Sequence, residues 1–186
     1  MAPAAEHNFN ETPLPTALVL DADFVVNVLH EREEFHKECA RFAGALLDGD
    51  VTIVYTQLLR LEFLSGWQNA VRRRGIPAGL LPAQARLMPD AQADLGVLYG
   101  VADRILADFL SLFDQYEVRL SAKLQDGARA HMARYNLKPL DACLIAAAFQ
   151  VDVPHVASLD GRFRRVGGIH LWNHHIPERR QTRRRG

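Results

Sequence analysis

The sequence has little cysteine and lacks any long apolar run. Its 186 residues include two cysteines, Cys39 and Cys143, too few for a disulfide framework and without the spacing of a zinc site. No segment approaches the roughly 20 consecutive apolar residues of a membrane span. The first residues carry acids and prolines but neither a basic start nor an apolar core, so they do not predict a secretory signal. We therefore expect a cytoplasmic protein with reduced thiols and no membrane association.

The chain has no excess of either charge, but its charges are unevenly placed. It contains 22 basic and 22 acidic residues, and 48% of its residues are apolar, as in an ordinary globular domain. Residues 161–186, by contrast, hold eight arginines and one acid. Because the guanidinium group binds phosphate through two hydrogen bonds, this segment favours a phosphate-bearing partner. A solvated face or tail is the alternative interpretation.

Strand-like and helix-like segments alternate along the chain. Short, mostly apolar runs predict strands at 17–20, 51–55, 116–120, 155–159 and 169–172. Helical spacing of apolar residues predicts helices at 23–30, 33–47, 56–68, 91–115, 121–135 and 139–150. The alternation predicts an α/β fold with a central, mainly parallel sheet. We expect a flexible N-terminal extension (1–16), one domain (17–176) and an Arg-rich C-terminal tail (177–186).

Four acidic residues stand where a carboxylate is costly or functional. Asp21 and Asp160 each follow a predicted strand, and open α/β sheets bind ligands at the carboxyl ends of their strands. Glu62 and Asp141 project from predicted helices beside apolar neighbours, where an unpaired carboxylate is expensive. Taken singly, the strand-end acids also fit a helix N-cap and a turn. The helix acids also fit a salt bridge and a favourable helix N-terminus.

The set of four acids is more informative than its members, because all four can converge at one edge of the sheet. Two carboxylates about 4 Å apart repel by roughly 4 kcal/mol at an effective dielectric near 20, so such a cluster needs a cation. All-oxygen ligands select Mg²⁺ or Mn²⁺ over zinc or copper. The chemistry that follows is metal-assisted hydrolysis of a phosphodiester bond.

The four acids lie in short motifs that occur in a fixed order. These are Leu-Val-Leu-Asp-Ala-Asp (18–23), Glu62 with Gly66, Asp-Ala-Cys-Leu-Ile-Ala-Ala-Ala (141–148) and Ser-Leu-Asp-Gly-Arg-Phe (158–163). The series resembles the PIN-domain ribonucleases, most closely the VapC-type toxins of toxin–antitoxin pairs, over about residues 17–172. The resemblance implies a three-layer α/β/α fold. It also implies an endoribonuclease with an Mg²⁺ or Mn²⁺ site formed by Asp21, Glu62, Asp141 and Asp160.

Other residues are candidates for supporting roles. Asp23 is a candidate fifth acid near the metal, and Ser158 is expected to hydrogen-bond in the region of Asp21 or Asp160. The candidate RNA-phosphate ligands are Arg72, Arg73, Arg74, Arg162, Arg164 and Arg165. A toxin implies an antitoxin protein as partner. Glu62 and Asp141 are farther apart than in a compact toxin, which predicts an insertion within 67–99.

A heptad-like seam lies in the helix predicted at 91–115. Its members are Leu95, Leu98, Ala102, Ile105, Phe109 and Leu112. Packing of this face on the core is the interpretation that we favour, and a homodimer contact is the alternative.

Two rival functions remain at the level of sequence. The Asp-Ala-Asp series at 21–23 also resembles haloacid-dehalogenase-like phosphatases, in which Asp21 would be the nucleophile and Asp23 the general acid. A second rival is a catalytically degenerate PIN module that binds RNA or protein. The presence of all four acids argues against the degenerate module, because repelling carboxylates have no use without a cation.

Overall fold

The computed structural model describes residues 3–77 and 95–176. Its strands are β1 (Ala5–His7), β2 (Ala17–Leu20), β3 (Thr52–Thr56), β4 (Gln115–Val118), β5 (His155–Ala157) and β6 (His170–Trp172). Its helices are α1 (Ala22–Leu29), α2 (His36–Asp48), α3 (Leu59–Arg74), α4 (Leu95–Leu110), α5 (Ala122–Tyr135) and α6 (Pro139–Gln150), with a 3-10 helix at Gly161–Arg165. The predicted tail (177–186) and the predicted helical residues 91–94 lie outside the described residues.

All six strands join one parallel sheet in the order β1-β6-β5-β2-β3-β4. The central strand β2 pairs with β3 on one side, through Leu18 opposite Ile53, and with β5 on the other, through Val19 opposite Val156. Parallel neighbours need crossover connections, which the helices supply. The prediction of an α/β fold with a parallel sheet is therefore confirmed, and the carboxyl ends of β2 and β5 lie side by side.

Side chains that alternate along the central strands build a core on each face of the sheet. Leu18 and Leu20 pack with residues of α1, α2, α3 and α4 on one face. Val19 packs with residues of α5 and α6 on the other. All three side chains are fully buried, which explains why β2 is a continuous apolar run. The result is the expected three-layer α/β/α arrangement.

The N-terminal segment differs from its prediction as a flexible extension. Ala5–His7 forms β1, which pairs in parallel with β6 at the edge of the sheet. The Phe9 side chain is buried, and its ring centroid lies 4.3 Å from that of Phe42. The sequence Ala-Glu-His shows no strand pattern. An edge strand this short is held by backbone pairing and not by an apolar face of its own, so its sequence carries no signal for a strand.

Two helix ends also differ from their predicted positions. α3 continues to Arg74, beyond the end predicted at 68, so part of the predicted insertion is a direct extension of that helix. α4 ends at Leu110 rather than at 115, because the chain turns there and enters β4 at Gln115.

The heptad-like seam of α4 lies mainly against the core. Leu98, Ala102 and Phe109 are buried, whereas Leu112 lies beyond the helix and is exposed. Packing therefore accounts for most of the seam, and a homodimer contact stays a prediction. Among residues 3–77 and 95–176, no helix combines the length and apolarity needed to cross a membrane.

Candidate active site

Two of the predicted acids are neighbours because their strands are neighbours. Asp21 follows β2 directly, and Asp160 follows β5 closely. The backbone N–H of Asp21 donates to the carbonyl oxygen of Ala157 at 3.1 Å, which fixes the ends of the two strands together. Asp21 stands at the start of α1, and Asp160 caps the 3-10 helix through its side chain.

The other two acids are delivered by helices. α3 lies so close to α1 at Gly66 that a Cβ atom there would come within 2.9 Å of Val26 Cγ2. Glycine at this position allows the approach and brings Glu62, one helical turn earlier, towards the start of α1. Asp141 lies in the first turn of α6, where Pro139 takes the favoured position at the helix start.

The structure brings all four acids to the wall of one cavity of about 850 Å³, together with Asp23. The cavity opens at the carboxyl ends of β2 and β5. The face of α3 that carries Glu62 also lines it, and Leu61 beside Glu62 is 67% exposed. The predicted convergence of the acids is thus present in the structure.

Ser158 ties Asp21, Asp23 and Asp160 together. Its hydroxyl donates to Asp21 Oδ2 at 2.6 Å and accepts from the Asp160 backbone N–H at 3.0 Å. The Asp23 carboxylate accepts from the Leu159 backbone N–H at 3.2 Å. Ser158 is fully buried, and its carbonyl oxygen accepts from Asn173 Nδ2 at 2.8 Å. Its position near Asp21 and Asp160 agrees with the sequence-based expectation.

Arg162 occupies the space between Asp141 and Asp160. Its Nε donates to Asp160 Oδ1 at 3.0 Å and Oδ2 at 2.8 Å, and its Nη2 also bonds Oδ2. The same Nη2 lies 3.5 Å from Asp141 Oδ2, which is an ion-pair distance but too long for a good hydrogen bond. Arg162 was expected to hold RNA phosphate, and in the structure it is instead bound to an acid of the cavity.

Burial and mutual repulsion raise the pKa of three acids around the cavity. Burial, with a smaller addition from the charge of Asp141, raises the pKa of Asp21 to about 6 against the opposing hydrogen bond from Ser158. Burial and the charges of Asp21 and Asp141 raise the pKa of Glu62 to about 7. Burial raises the pKa of Asp23 well above its usual value, and the charge of Asp21 adds to the effect.

Arg162 affects the pKa of Asp141 and the pKa of Asp160 to different extents. Burial raises the pKa of Asp141 against the opposing charge of Arg162. Burial also acts on Asp160, but the hydrogen bonds from Arg162 outweigh it and hold the pKa of Asp160 below its usual value. The guanidinium of Arg162 therefore neutralises Asp160 more completely than it neutralises Asp141.

The donor set of the cavity fits a hard divalent cation. Every candidate ligand is a carboxylate oxygen, the type that Mg²⁺ and Mn²⁺ prefer. Asp141 Oδ2 is buried without a hydrogen-bond partner, which is costly unless a cation or water reaches it. In the part of the chain that the structure describes, no three acidic, histidine or cysteine side chains form a ready-made ligand group.

The other candidate arginines lie mostly away from the acids. Arg164 pairs with Glu6 at 3.5 Å, and Arg165 donates to the Arg162 carbonyl oxygen at 3.2 Å. Arg73 and Arg74 both pair with Glu33 at 3.1 Å, and Arg73 also lines the cavity. Arg72 is exposed on the last turn of α3. Of these five, the structure brings only Arg73 to the cavity.

Sequence reasoning missed several residues of the cavity wall. Lys138, immediately before α6, adds a positive charge near Asp141. Leu61 and Leu140 form an apolar part of the wall and are 67% and 44% exposed. The sequence does contain a signal for Lys138. It immediately precedes the start of α6, which carries Asp141, so its place near that acid could have been predicted.

Comparisons with known proteins agree with this architecture. The sequence model of the PIN-domain family matches residues 18–169. Among solved structures, the chain is similar to the crystal structure of Mycobacterium tuberculosis VapC20, described as a sarcin-ricin loop cleaving toxin. The TM-score is 0.52 at 15% sequence identity, over 78% of this chain and 92% of that chain. At this identity, the likeness shows a common fold. Comparison with curated protein sequences gives no match.

Proposed function

The chain belongs to the PIN-domain family, and we propose that it is a metal-dependent endoribonuclease that hydrolyses phosphodiester bonds of RNA. One observation carries the proposal: four carboxylates from separate elements line a single cavity at the carboxyl ends of the central strands. These are Asp21, Glu62, Asp141 and Asp160. A structural role alone does not account for Asp21, Glu62 and Asp141, because their pKa values are raised and their ionised forms oppose folding unless a cation is bound.

The four acids would hold Mg²⁺ or Mn²⁺, directly or through water. The ion, when bound, neutralises the acids, polarises the phosphoryl oxygen and lowers the pKa of a hydrolytic water. Ser158 orients Asp21 and the Asp160 backbone through its two hydrogen bonds. Asp23 supports the start of α1 by accepting a hydrogen bond from the Leu159 N–H, in the segment that follows β5.

Positive side chains at the cavity would position the RNA backbone. Lys138 and Arg73 both line the cavity and are exposed. Contacts from such side chains to phosphate oxygens fix the register of a nucleic acid without reading its sequence. The exposed Leu61 and Leu140 offer apolar surface to an unpaired base beside the acids.

We further propose that the chain is the toxin of a toxin–antitoxin pair. The likeness in fold to a solved toxin supports this assignment. An antitoxin segment would cover the cavity, with apolar side chains against Leu61 and Leu140 and a cation near the acids. Expression of the chain alone should arrest growth of the host. Co-expression with a short protein encoded beside it should restore growth, and arrest without relief by such a protein would contradict the pairing.

The test of the nuclease is a cleavage assay on purified, partner-free chain with mixed RNA. Parallel reactions contain Mg²⁺, Mn²⁺ or chelator, and the variants are Asp141→Asn and Asp126→Asn. Asp126 is the matched control because it is exposed on α5 and pairs with Arg129. We expect cleavage with either ion, none with chelator or with Asp141→Asn, and unchanged cleavage with Asp126→Asn.

Other outcomes of the assay separate the rival functions. Cleavage that survives both chelator and Asp141→Asn would contradict the metal site. Absence of cleavage together with absence of metal binding would favour the degenerate module. The phosphatase alternative is not favoured, because the family match is to the PIN domain and the Asp23 carboxylate accepts a hydrogen bond from the Leu159 N–H.

A further inference from the structure

Arg162 supplies a positive charge to the acidic cavity from within the chain itself. Its guanidinium contacts both oxygens of Asp160 and lies 3.5 Å from the buried Asp141 Oδ2. The side chain is 34% exposed and lines the cavity. A fork of donors on a carboxylate is the strongest kind of side-chain hydrogen bonding to an acid. Arg162 therefore takes up the acceptor sites through which Asp160 would bind an ion.

The two oxygens of Asp160 are held in different ways. Oδ1 accepts from the backbone N–H of Arg162 at 2.8 Å as well as from the side chain. Oδ2 accepts only from the side chain among the contacts of the described residues. Departure of the guanidinium would leave Oδ1 capped by the backbone and open Oδ2 towards the cavity. The backbone cap thus keeps Asp160 in place while its outer oxygen changes partner.

From this geometry we propose that Arg162 is a built-in counter-cation that competes with the divalent ion for Asp160. The proposal rests on the metal-dependent function proposed above. In the metal-free protein, Arg162 neutralises Asp160 and, at longer range, Asp141. Binding of the ion displaces the guanidinium, because both cations require the same carboxylate oxygen. The displaced Arg162 stays anchored on the 3-10 helix beside the cavity, where its free donors match an RNA phosphate.

Competition of Arg162 with the ion and support of the metal site by Arg162 predict opposite effects on metal binding when Arg162 is removed. If Arg162 supported the ion by orienting Asp160, its removal would weaken metal binding. If it competes, its removal strengthens metal binding, because the ion no longer has to break the arginine–carboxylate contacts. Loss of the positive charge beside Asp141 adds to the same effect.

The experiment is calorimetric titration of Mn²⁺ and Mg²⁺ into purified full-length chain without RNA. The variants are Arg162→Gln, Arg162→Lys and Arg164→Gln. Arg164 lies in the same 3-10 helix and pairs with Glu6, so its replacement controls for the loss of one positive charge nearby. We expect Arg162→Gln to lower the metal Kd by about tenfold, equivalent to about 1.4 kcal/mol. The metal Kd of Arg162→Lys should lie between those of the wild type and Arg162→Gln, and the Kd of Arg164→Gln should resemble that of the wild type.

Thermal unfolding in chelator and in saturating Mn²⁺ gives a second readout. Arg162→Gln should unfold at a lower temperature than the wild type in chelator, because Asp141 and Asp160 lose their counter-charge. The gain in midpoint on adding Mn²⁺ should be larger for Arg162→Gln than for the wild type. A residue with a merely structural role would lower both midpoints equally, and that result would overturn the proposal.

The failures of the two proposals are distinguishable. A wild-type chain that binds Mn²⁺ while Arg162→Gln binds it equally or more weakly overturns the competition but leaves the nuclease assignment intact. A wild-type chain and a variant that both bind no divalent ion overturn the competition together with the metal dependence.

Discussion

The Ser158 hydroxyl donates a hydrogen bond of 2.6 Å to Asp21 Oδ2, across 137 positions of sequence. The same hydroxyl accepts from the Asp160 backbone N–H at 3.0 Å. One buried oxygen atom thus joins the ends of β2 and β5 and holds two of the acids in a fixed relation. The contact sets the geometry of the cavity and gives the first prediction.

Replacement of Ser158 by alanine should destabilise the metal-free protein. The half-buried Asp160 N–H would lose its acceptor and Asp21 its donor, and an unmet buried hydrogen bond costs about 1–3 kcal/mol. Urea denaturation in chelator measures the change. Ser111→Ala is the control, since Ser111 is exposed and its hydroxyl bonds only the carbonyl of Asp108 among the contacts shown. Equal midpoints for the two variants would mean that the Ser158 contacts do not secure the strand ends.

Replacement of Asp141 by asparagine should leave the metal-free protein as stable as the wild type or more stable. Burial raises the pKa of Asp141 despite the opposing charge of Arg162, so its ionised form opposes folding at neutral pH. Removal of that charge should leave the free energy of unfolding unchanged or raise it. Thermal unfolding at pH 7.5 in chelator, with Asp126→Asn alongside, is the measurement. A clear loss of stability in Asp141→Asn alone would show that the acid serves the fold.

Replacement of Gly66 by alanine should push α3 away from α1. The new Cβ would meet Val26 Cγ2 at 2.9 Å, and overpacking of this kind costs about 1–3 kcal/mol. Gly44→Ala in α2 is the matched control, because a Cβ there meets nothing within 4 Å. That control should stabilise the protein by about 0.5–1 kcal/mol through helix propensity. The double variant Gly66→Ala with Val26→Ala should recover part of the loss, and no recovery would place the strain elsewhere.

Acidification should destabilise the side of the sheet formed by β1, β6 and β5. His155 lies against His170 and His7, with ring centroids at 4.5 and 6.4 Å, and its Nδ1 accepts from Trp172 Nε1 at 3.0 Å. Burial and these two histidines lower the pKa of His155 to about 4 from 6.5. Below pH 6.5 the unfolded chain therefore binds a proton that the folded chain refuses. The contribution of His155 to the free energy of unfolding should fall by about 1–3 kcal/mol between pH 6.5 and 4.

The variant that tests this pH dependence is His155→Asn, whose side-chain oxygen accepts the Trp172 N–H and does not titrate. The acids of the cavity titrate in the same range, so the comparison is between variant and wild type at each pH. As the pH falls from 6.5 to 4, the free energy of unfolding should decrease more for the wild type than for His155→Asn. Parallel curves for the two proteins would contradict the assignment.

The parts of the structure that the sequence predicts are those set by burial. Asp21 and Asp160 follow short apolar runs, and the parallel sheet brings the carboxyl ends of those runs together. Glu62 and Asp141 were placed by their positions on helices, and both line the same cavity. The roles of the four acids in metal binding and catalysis stay predictions.

The parts that the sequence does not predict depend on contacts without a periodic pattern. β1 pairs through its backbone, and a run of three residues carries too little signal for a strand. Arg162 looked available for phosphate because nothing in a local sequence shows that its guanidinium turns back onto Asp160. α3 continues to Arg74, where Arg73 and Arg74 pair with Glu33 from a different segment of the chain.

The pairing of β5 beside β2 has a consequence for the time at which the cavity comes into being during synthesis. Asp21 emerges early from the ribosome, but its partner Ser158 and the acid at Asp160 are among the last residues of the domain to be translated. A nascent chain, or a product of premature termination before residue 155, contains neither β5 nor the acid that follows it. The acidic cavity is therefore complete only when almost the whole domain has left the ribosome.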